Sequence, residues 1–473
     1  MGTINSAFSL ISGALDADQA ALNVVANNVA NANTPGYTEE TPNWQENQPI
    51  TINGVSYGAG VTETGATSVR DRVLTERLDQ QQQLASASGS RLTALNTLQA
   101  LFTPDSGSTS ARAGDIGSDL TSFFSSFSSL EANPTNNALR QQVLSTATTL
   151  AGDVSNAAAS LNSQRSALDQ EASGVTSQVN ALTGAIAQLN RQIQSTSPNA
   201  DAGTLEDQRQ QDLSQLSQLI GINQITTENN GLSITTTSGQ LLVSEGSSFQ
   251  LTTGTVNGVT DFFLGGTDIT SQLTGGGGEL GGYLTARDQD IPNVLSSLDQ
   301  LAYGVSTEVN TLNNAGTDLD GVSGTAAKPL YIFNQPTVVA GSAANMSVVM
   351  TDPNQIAAAG LGQGTGDNSN ATTMANLANQ SIVNGQTPTD YYSSFVSTLG
   401  STVSSVQTEN TAQNASVTQL QTQNNALSSV NLNDEASSMT TLERSYQAAS
   451  QVFAMLNTIM ASALNLGDQT TVA

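Results

Sequence analysis

The chain has 473 residues, a formal net charge of −27, and neither cysteine nor histidine. Their absence excludes cysteine nucleophiles, Ser-His-Asp triads, Cys/His zinc sites and histidine acid–base chemistry. The negative charge also argues against nucleic acid and against anionic membranes as partners, because both would repel the protein. With 11% charged and 4% aromatic residues, the composition favours long thin helices over a thick enzyme-like core. We therefore expect no enzyme, no cofactor and no metal site.

The N-terminal segment carries an apolar seam with the 4, 3, 4 spacing of a heptad helix. One seam position is occupied by Asp18, and Pro35 followed by Gly36 is predicted to end the helix. A helix this close to the start of the chain has no body of its own to pack on, so the pattern predicts a partner helix. The seam residues are Ile4, Phe8, Ile11, Leu15, Leu22, Val25 and Val29.

The C-terminal segment offers that partner, since its apolar residues repeat at 3 and 4 without a miss until Gly467, which is predicted to stop the helix. Residues 1–60 contain no lysine or arginine, and residues 430–473 contain only Arg444 against four acids. Because like charges oppose the pairing, the attraction between the two seams has to be apolar. The seam residues that we assign here are Met439, Leu442, Tyr446, Phe453, Leu456 and Met460.

The first half of the chain between these seams reads as extended chain followed by long helices. Extended chain or short strands follow Tyr37, and a helix is predicted from Ser68, with Arg70, Arg72 and Arg77 pairing with acids on its own face. Heptad spacing over residues 150–193 predicts a rod-forming helix. A break at 197–199 and a return helix over 205–220 complete an antiparallel helical hairpin.

Residues 221–283 change to a period of two with Asn-Gly and Ser-Gly turn signals, which predicts a small antiparallel sheet. The glycines from 275 to 282 read as a flexible connector, and Asp318 with Asp320 as an acidic turn that fails the calcium-loop template. Helix is expected again after Leu284, where Pro292 marks either its start or a kink. The apolar residues at 331–333 and 348–350 favour short strands, and a last long helix is predicted from near Thr389 with polar seam residues.

These patterns predict a mainly α fold with a smaller β part: paired terminal helices form a coiled-coil-like inner domain, a long helical bundle lies in the middle, and an antiparallel β region is inserted. Our predicted division assigns 1–60 with 430–473 to the inner assembly domain. The helical rod domain takes 61–220, 284–315 and 388–429; the small β region is 221–283, and an irregular outer region is 316–387.

Several sequence strings resemble the flagellar hook-associated protein 1 family over nearly the whole chain. The most telling strings are residues 26–38, ANNVANANTPGYT, and residues 429–436 with 446–449. The first of them is shared by the wider rod, hook and junction group. The family itself is indicated by Asp207-Gln208-Arg209 leading into 213–221, by Gly281-Gly282-Tyr283-Leu284, and by 366–370. The chain departs from longer family members between about 316 and 366, where an outer β domain is largely missing, and in its tail, 467–473.

The resemblance implies a secreted structural subunit of the bacterial flagellum, exported unfolded by the type III apparatus and assembled as a ring at the hook-filament junction. The implied partners are the hook protein, a second junction protein and through it the filament, identical subunits, the export apparatus, and an export chaperone on the C-terminal helix. Neither nucleic acid nor membrane is among them. The alternative within this class is another axial protein, either a hook protein or a flagellin-like subunit. An enzyme and a surface adhesin are weaker rivals, since nothing suggests positioned catalytic groups and an adhesin needs no buried ends.

The cost of ordering predicts that both ends are largely disordered in the free chain. Fixing the backbone costs about 1 to 2 kcal/mol per residue, whereas a large seam side chain contributes roughly 1.5 to 3 kcal/mol only when it is buried. Neighbouring subunits would supply that burial on assembly. The first basic residue is Arg70, so we expect no cleaved secretory signal.

Overall fold

The computed structural model describes residues 2–52, 54–103, 116–196, 201–256 and 258–468; of these, the side chains of 2–4, 52, 196 and 464–468 are not described. The predicted break at 197–199 and the tail beyond 468 lie outside the described residues. The helices are α1 (Gly2–Asn31), α2 (Arg72–Phe102), α3 (Ile116–Ala132), α4 (Asn137–Thr196), α5 (Thr204–Leu219), α6 (Thr270–Leu273), α7 (Gly278–Thr285), α8 (Ile291–Ala315), α9 (Ser369–Asn376), α10 (Pro388–Ser428) and α11 (Leu432–Asp468). The strands are β1 (Glu40–Glu46), β2 (Ile50–Ile52), β3 (Val55–Tyr57), β4 (Val61–Ser68), β5 (Ile222–Thr226), β6 (Leu232–Thr236), β7 (Leu241–Ser244), β8 (Ser247–Ser248), β9 (Leu251–Val256), β10 (Val259–Leu264) and β11 (Thr267–Asp268).

Long helices and small antiparallel sheets make up the chain, which confirms the predicted fold class. The strands pair as β1 with β4, β2 with β3, β5-β6-β7-β8 and β9-β10-β11, all antiparallel. None of the described helices is both long and apolar enough to pass through a lipid bilayer. The division into four domains stays a prediction, although β4, which begins just past the first boundary at Val61, pairs with β1 on the other side of that boundary.

The long helix α4 passes through two hydrophobic cores. Its N-terminal half, with Leu161, packs in a core formed with α2, α3, α8, α9 and α10. Its C-terminal half, with Val179 and Ile186, packs with α5, α7 and the β5–β11 region in the second core. Because one rigid helix belongs to both cores, the helical bundle and the small sheets are held together as one body. Heptad spacing had placed this helix at 150–193, but it begins earlier, at Asn137.

Three sequence-based predictions of element bounds are wrong in detail. The helix expected from Ser68 begins at Arg72, because Ser68 still belongs to β4 and the Asp71 carboxylate caps the amides of Val73 and Leu74. Residues 331–333 and 348–350 form no strands; they share a single bridge between Phe333 and Val348. The predicted stop at Gly467 falls inside α11, which continues to Asp468.

The glycines at 281 and 282 allow close helix packing and do not form the flexible connector that the sequence predicts. Gly281 and Gly282 lie inside helix α7 and are buried, and α7 packs against α2. A side chain at Gly282 would collide with Ser90 and with the backbone of Ala87. Glycine therefore allows two helix backbones to approach closely. After α7 comes a π-helical turn, Ala286–Asp290, and α8 carries Pro292 directly after it, inside a helical run that continues from α7 without a break.

Candidate assembly interface

The two terminal helices, α1 and α11, pack against each other within one chain. The rings of Phe8 and Phe453 meet edge to face with centroids 5.2 Å apart, an arrangement that aromatic pairs prefer. On α11 the residues at seam positions 442, 446, 449, 453, 456 and 460 are half-buried, and nearly every other position over 432–463 is exposed. The heptad spacing thus identifies the side of α11 that faces its partner.

The structure brings most of the seam residues of α1 to the same side, with different burial along the helix. Phe8, Ile11, Leu15 and Leu22 are half-buried, and Val25 is buried. At the far ends of the two seams, Val29 and Met439 are exposed, at 42% and 40%. The side chain of Ile4 lies outside the described residues. Whether these residues act in assembly stays a prediction.

A second face of α1, which the heptad spacing does not predict, is also buried. It consists of Ala17, Ala21, Val25 and Asn28, at spacings of 4, 4 and 3. This part of α1 also packs on β1 and β4, so the helix has more support than its partner α11 alone. Three of the four residues are small or polar, and for that reason a search for large apolar residues passes over them.

Asn28 is the polar centre of the interface and is only 1% exposed. Its amide nitrogen donates to the Glu435 carboxylate of α11 at 2.9 Å and to the carbonyl of Glu40 at 2.8 Å. Its amide oxygen accepts from the Tyr37 hydroxyl at 2.8 Å and from the Glu40 amide at 3.0 Å. With both hydrogens and both lone-pair directions used, Asn28 fixes the end of α1, the turn after it and the start of α11 in one arrangement.

The turn after α1 is also anchored to the helical body. The Thr38 amide donates to Asp207 on α5 at 3.1 Å, and the Glu39 amide donates to the carbonyl of Ser428, the last residue of α10, at 2.9 Å. The segment 31–40 therefore contacts α1, α5 and α10 through named hydrogen bonds, and Asn28 of α1 connects it to α11. This segment is the joint between the terminal pair and the body.

Arg70 and Arg72 form the ionic part of this joint. Both bind Glu206 of α5, at 3.3 and 3.0 Å, and Arg70 also binds Asp207. The prediction that these arginines pair with acids on their own helix is therefore wrong, because Arg70 precedes α2 and its acidic partners come from α5. Sequence spacing could not show this, since the partners lie more than 130 residues apart.

Burial is the main cause of the pKa shifts in the joint. It raises the pKa of Glu435 above its usual value, and the hydrogen bond from Asn28 opposes that shift. Burial likewise raises the pKa of Asp207, against the effect of Arg70, and the pKa of Glu40, with Asp207 and Asp201 adding to it. Such a cluster can hold segments together, but we see no nucleophile–base pair in it. Across the described ranges, no group of three or more acidic side chains is arranged to hold a metal ion.

Comparisons with known proteins agree with the resemblance read from the sequence. The family model for the flagellar hook-associated protein FlgK helical domain matches residues 106–327, and that for the flagella basal body rod protein matches residues 11–38. Flagellar hook-associated protein 1 of Salmonella typhimurium is 25% identical, with 96% of this chain and 98% of the relative covered. For the Escherichia coli protein of the same name the identity is 25%, with 98% and 99% covered, and for that of Bacillus subtilis it is 25%, with 96% of each.

The fold is also found in a solved structure, that of the flagellar hook junction protein FlgK from Burkholderia pseudomallei. It superposes with a TM-score of 0.63 at 18% identity, covering 73% of this chain and 99% of that one. The rod-protein match covers most of α1 and the turn after it, and the FlgK match covers the part of the body from α3 to α8. The two matches together with the full-length relatives show that this chain is similar, over nearly its whole length, to flagellar hook-associated protein 1, a structural flagellar protein, and the solved structure shows that it shares the fold of a flagellar hook junction protein.

Proposed function

We propose that this chain joins hook to filament as a ring at the hook tip, assembled through α1 and α11 after type III export. Its partners on this proposal are the hook protein below, a second junction protein above, and identical subunits beside it. An export chaperone on α11 and the export apparatus are the partners before assembly. The inner assembly domain of the proposal is the terminal pair, and the body forms the outer part.

The observation that carries the proposal is the incomplete burial of the terminal pair. Over 432–463 of α11, only Glu435 is buried, while Phe453, Leu456 and Met460 are half-buried against α1. A side chain that loses half its exposed area gains about half of the roughly 1.5 to 3 kcal/mol of full burial. Ordering the backbone costs about 1 to 2 kcal/mol for every residue, and α1 has 30 residues and α11 has 37. The pair is therefore marginal until neighbours cover it.

Marginal stability suits the proposed route of the protein. Ends that open readily in the free chain can be threaded for export, and a net charge of −27 keeps free copies apart by repulsion. Burial by neighbouring subunits would then supply the missing apolar contacts and order both helices on assembly.

A substitution in the seam tests this proposal. Phe453→Asp or Leu456→Asp places a charge against α1 and should abolish incorporation at the hook tip, while the circular dichroism and thermal transition of the body stay unchanged. Gln447→Asp is the matched control, because it adds the same charge to an exposed position of the same helix and should be incorporated normally. A seam variant that still caps hooks would contradict the proposal.

The alternative, a hook protein or flagellin-like subunit, has one observation in its favour: the match of residues 11–38 to a rod-protein family. Such a subunit would polymerise by itself. Purified chain that grows into filaments without any partner would favour this alternative over a ring of fixed size.

A further inference from the structure

An apolar stripe runs along α11 on a side that α1 does not cover. Val452, Met455 and Ile459 are 37%, 57% and 54% exposed. Met455 follows Phe453 by two residues, which turns it about 200° around the helix axis from the ring that meets Phe8. Arg444 lies eight residues before Val452 and so continues the stripe at its N-terminal end; it is exposed, and no ion pair of Arg444 occurs among the described residues.

An apolar groove lies between α1 and the β2–β3 hairpin. It has a volume of about 380 Å³, and Leu10, Ile50 and Tyr57 line it together with the small residues Ser6 and Ala7. Ile50 and Tyr57 stand directly opposite each other in the hairpin and are 44% and 53% exposed. Beside the hairpin, β1 ends at Glu46, whose side chain is exposed.

The stripe and the groove lie on different sides of the terminal unit. Leu10 lines the groove and Phe8 faces α11; these residues are two positions apart, again about 200° around the helix. The helix α1 thus stands between α11 and the groove. The stripe of one chain is consequently out of reach of its own groove but available to the groove of another copy.

We propose that the α11 stripe of one copy docks into the α1–hairpin groove of the next, with Arg444 facing Glu46. This inference rests on the proposed ring, and it names the surfaces through which copies meet. Charge complementarity supports a second copy as the occupant, since Arg444 is the one base of residues 430–473 and residues 1–60 contain none. The stripe from Val452 to Ile459 is about 10 Å long, close to the length of a three-residue strand. A contact between two different surfaces repeats from copy to copy and so generates a ring or a helix, where a self-complementary contact would stop at a dimer.

Thiol cross-linking can test the contact directly, because the natural chain contains no cysteine. Tyr57→Cys and Met455→Cys are placed singly and together in the full chain, expressed as the only copy in the cell, and hooks are isolated and treated with a short bifunctional thiol reagent. The double variant should give a ladder of dimers, trimers and higher species. Each single variant should stay monomeric, and the two single variants expressed together should give dimers and nothing larger.

The outcomes separate this inference from the function on which it rests. Variants that are incorporated but give no ladder would overturn the inference alone, as would dimers of Met455→Cys by itself or its cross-linking to a different protein. Absence of the unsubstituted chain from isolated hooks would overturn the proposed function. As a second measurement, Arg444→Glu should lower incorporation at least fivefold and Glu46→Arg in the same chain should restore it; a double variant no better than Arg444→Glu would also overturn the docking.

Discussion

The body and the terminal pair use the same kind of helix in opposite ways. In the body, Phe123 is fully buried and packs against the rings of Phe124, Phe127 and Phe333 at 5.2 to 5.4 Å. In the terminal pair, Phe453 meets one ring, that of Phe8, and remains half-buried. Both helices carry regular apolar spacing, so the difference lies in how many neighbours each one has. The body buries its apolar side chains within one chain, whereas the terminal helices leave apolar area for other chains to cover.

The largest expected difference between the two regions is in amide hydrogen exchange. Amides of α4 near Leu161 and Val179 should exchange only through global opening, at about 5 kcal/mol or more. Amides of α1 and α11 should exchange through local opening at about 0 to 2 kcal/mol, because few buried contacts hold them. Exchange measured peptide by peptide on the free chain would show the contrast. Equal protection in both regions would mean that the ends form a stable domain before assembly. The proposed difference in stability between the body and the terminal pair would then be wrong.

Matched truncations of the two phenylalanines should sharpen the contrast. Phe123→Ala should lower the free energy of unfolding of the body by about 3 to 5 kcal/mol, because it leaves a cavity in a fully packed core. Phe453→Ala should change the same transition by less than about 0.5 kcal/mol, since the ring lies outside that core. Denaturant titrations followed by circular dichroism measure both values. A loss of several kcal/mol in Phe453→Ala would show that the pair and the body unfold together.

The buried carboxylate of Asp79 allows a pH-dependent test of the part of the body that lies next to the turn after α1. This carboxylate on α2 is 1% exposed and accepts hydrogen bonds from the Gln210 and Gln224 amides at 2.8 and 2.9 Å, while its burial raises its pKa to about 6. A raised folded-state pKa means that its contribution to stability is present below its unfolded pKa, near 4, and is lost as the pH rises through about 6.

Asp79→Asn should therefore stabilise the body above pH 6 by about 2 to 3 kcal/mol, and by little at pH 4, since a pKa difference of one is worth about 1.4 kcal/mol. Thermal midpoints of both proteins from pH 4 to pH 8 measure the effect. Asp212→Asn serves as the control at a less buried carboxylate of α5. Thermal midpoints of wild type and Asp79→Asn that differ by the same amount at every pH would contradict the raised pKa of Asp79.

Asn28→Ala should give the most local effect. It removes the donor to Glu435 and leaves that buried carboxylate without its amide partner, at a cost of about 1 to 3 kcal/mol. Exchange should become faster at the start of α11 and in the turn 31–40, while α4 stays unchanged. Asn23→Ala is the control, because Asn23 is exposed on the same helix and its side chain accepts a hydrogen bond from Gln19, also on α1. An effect that spreads into α4 would show that the joint stabilises the whole body.

Local pattern predicted much of this fold because it depends on period and spacing. The 3, 4 repeat that begins at Met439 selects the side of α11 that faces α1, and the alternation after residue 221 predicts the small sheets. The turn at Pro35 and Gly36 ends α1 as expected, with Gly36 in the left-handed region at φ 81°. In each case the decisive residues lie within a few positions of one another along the chain.

The errors have a common cause in contacts between distant segments. The glycines at 281 and 282 resemble a loop until α2 is placed against them, and Arg70 finds its acids on a helix more than 130 residues away. Asn28 carries no apolar signal at all, although it connects α1, the turn and α11.

By itself, then, the sequence determined that this protein has long helices with apolar seams at both ends, a small β region between them, and no residues for histidine or cysteine chemistry. The period of the apolar residues and the absence of two residue types are sufficient for that. Only the tertiary structure decided which polar groups join the terminal pair to the body, which glycines permit close helix packing, and which apolar side chains remain uncovered. Those properties depend on distances between segments far apart in the chain, and no local spacing specifies them.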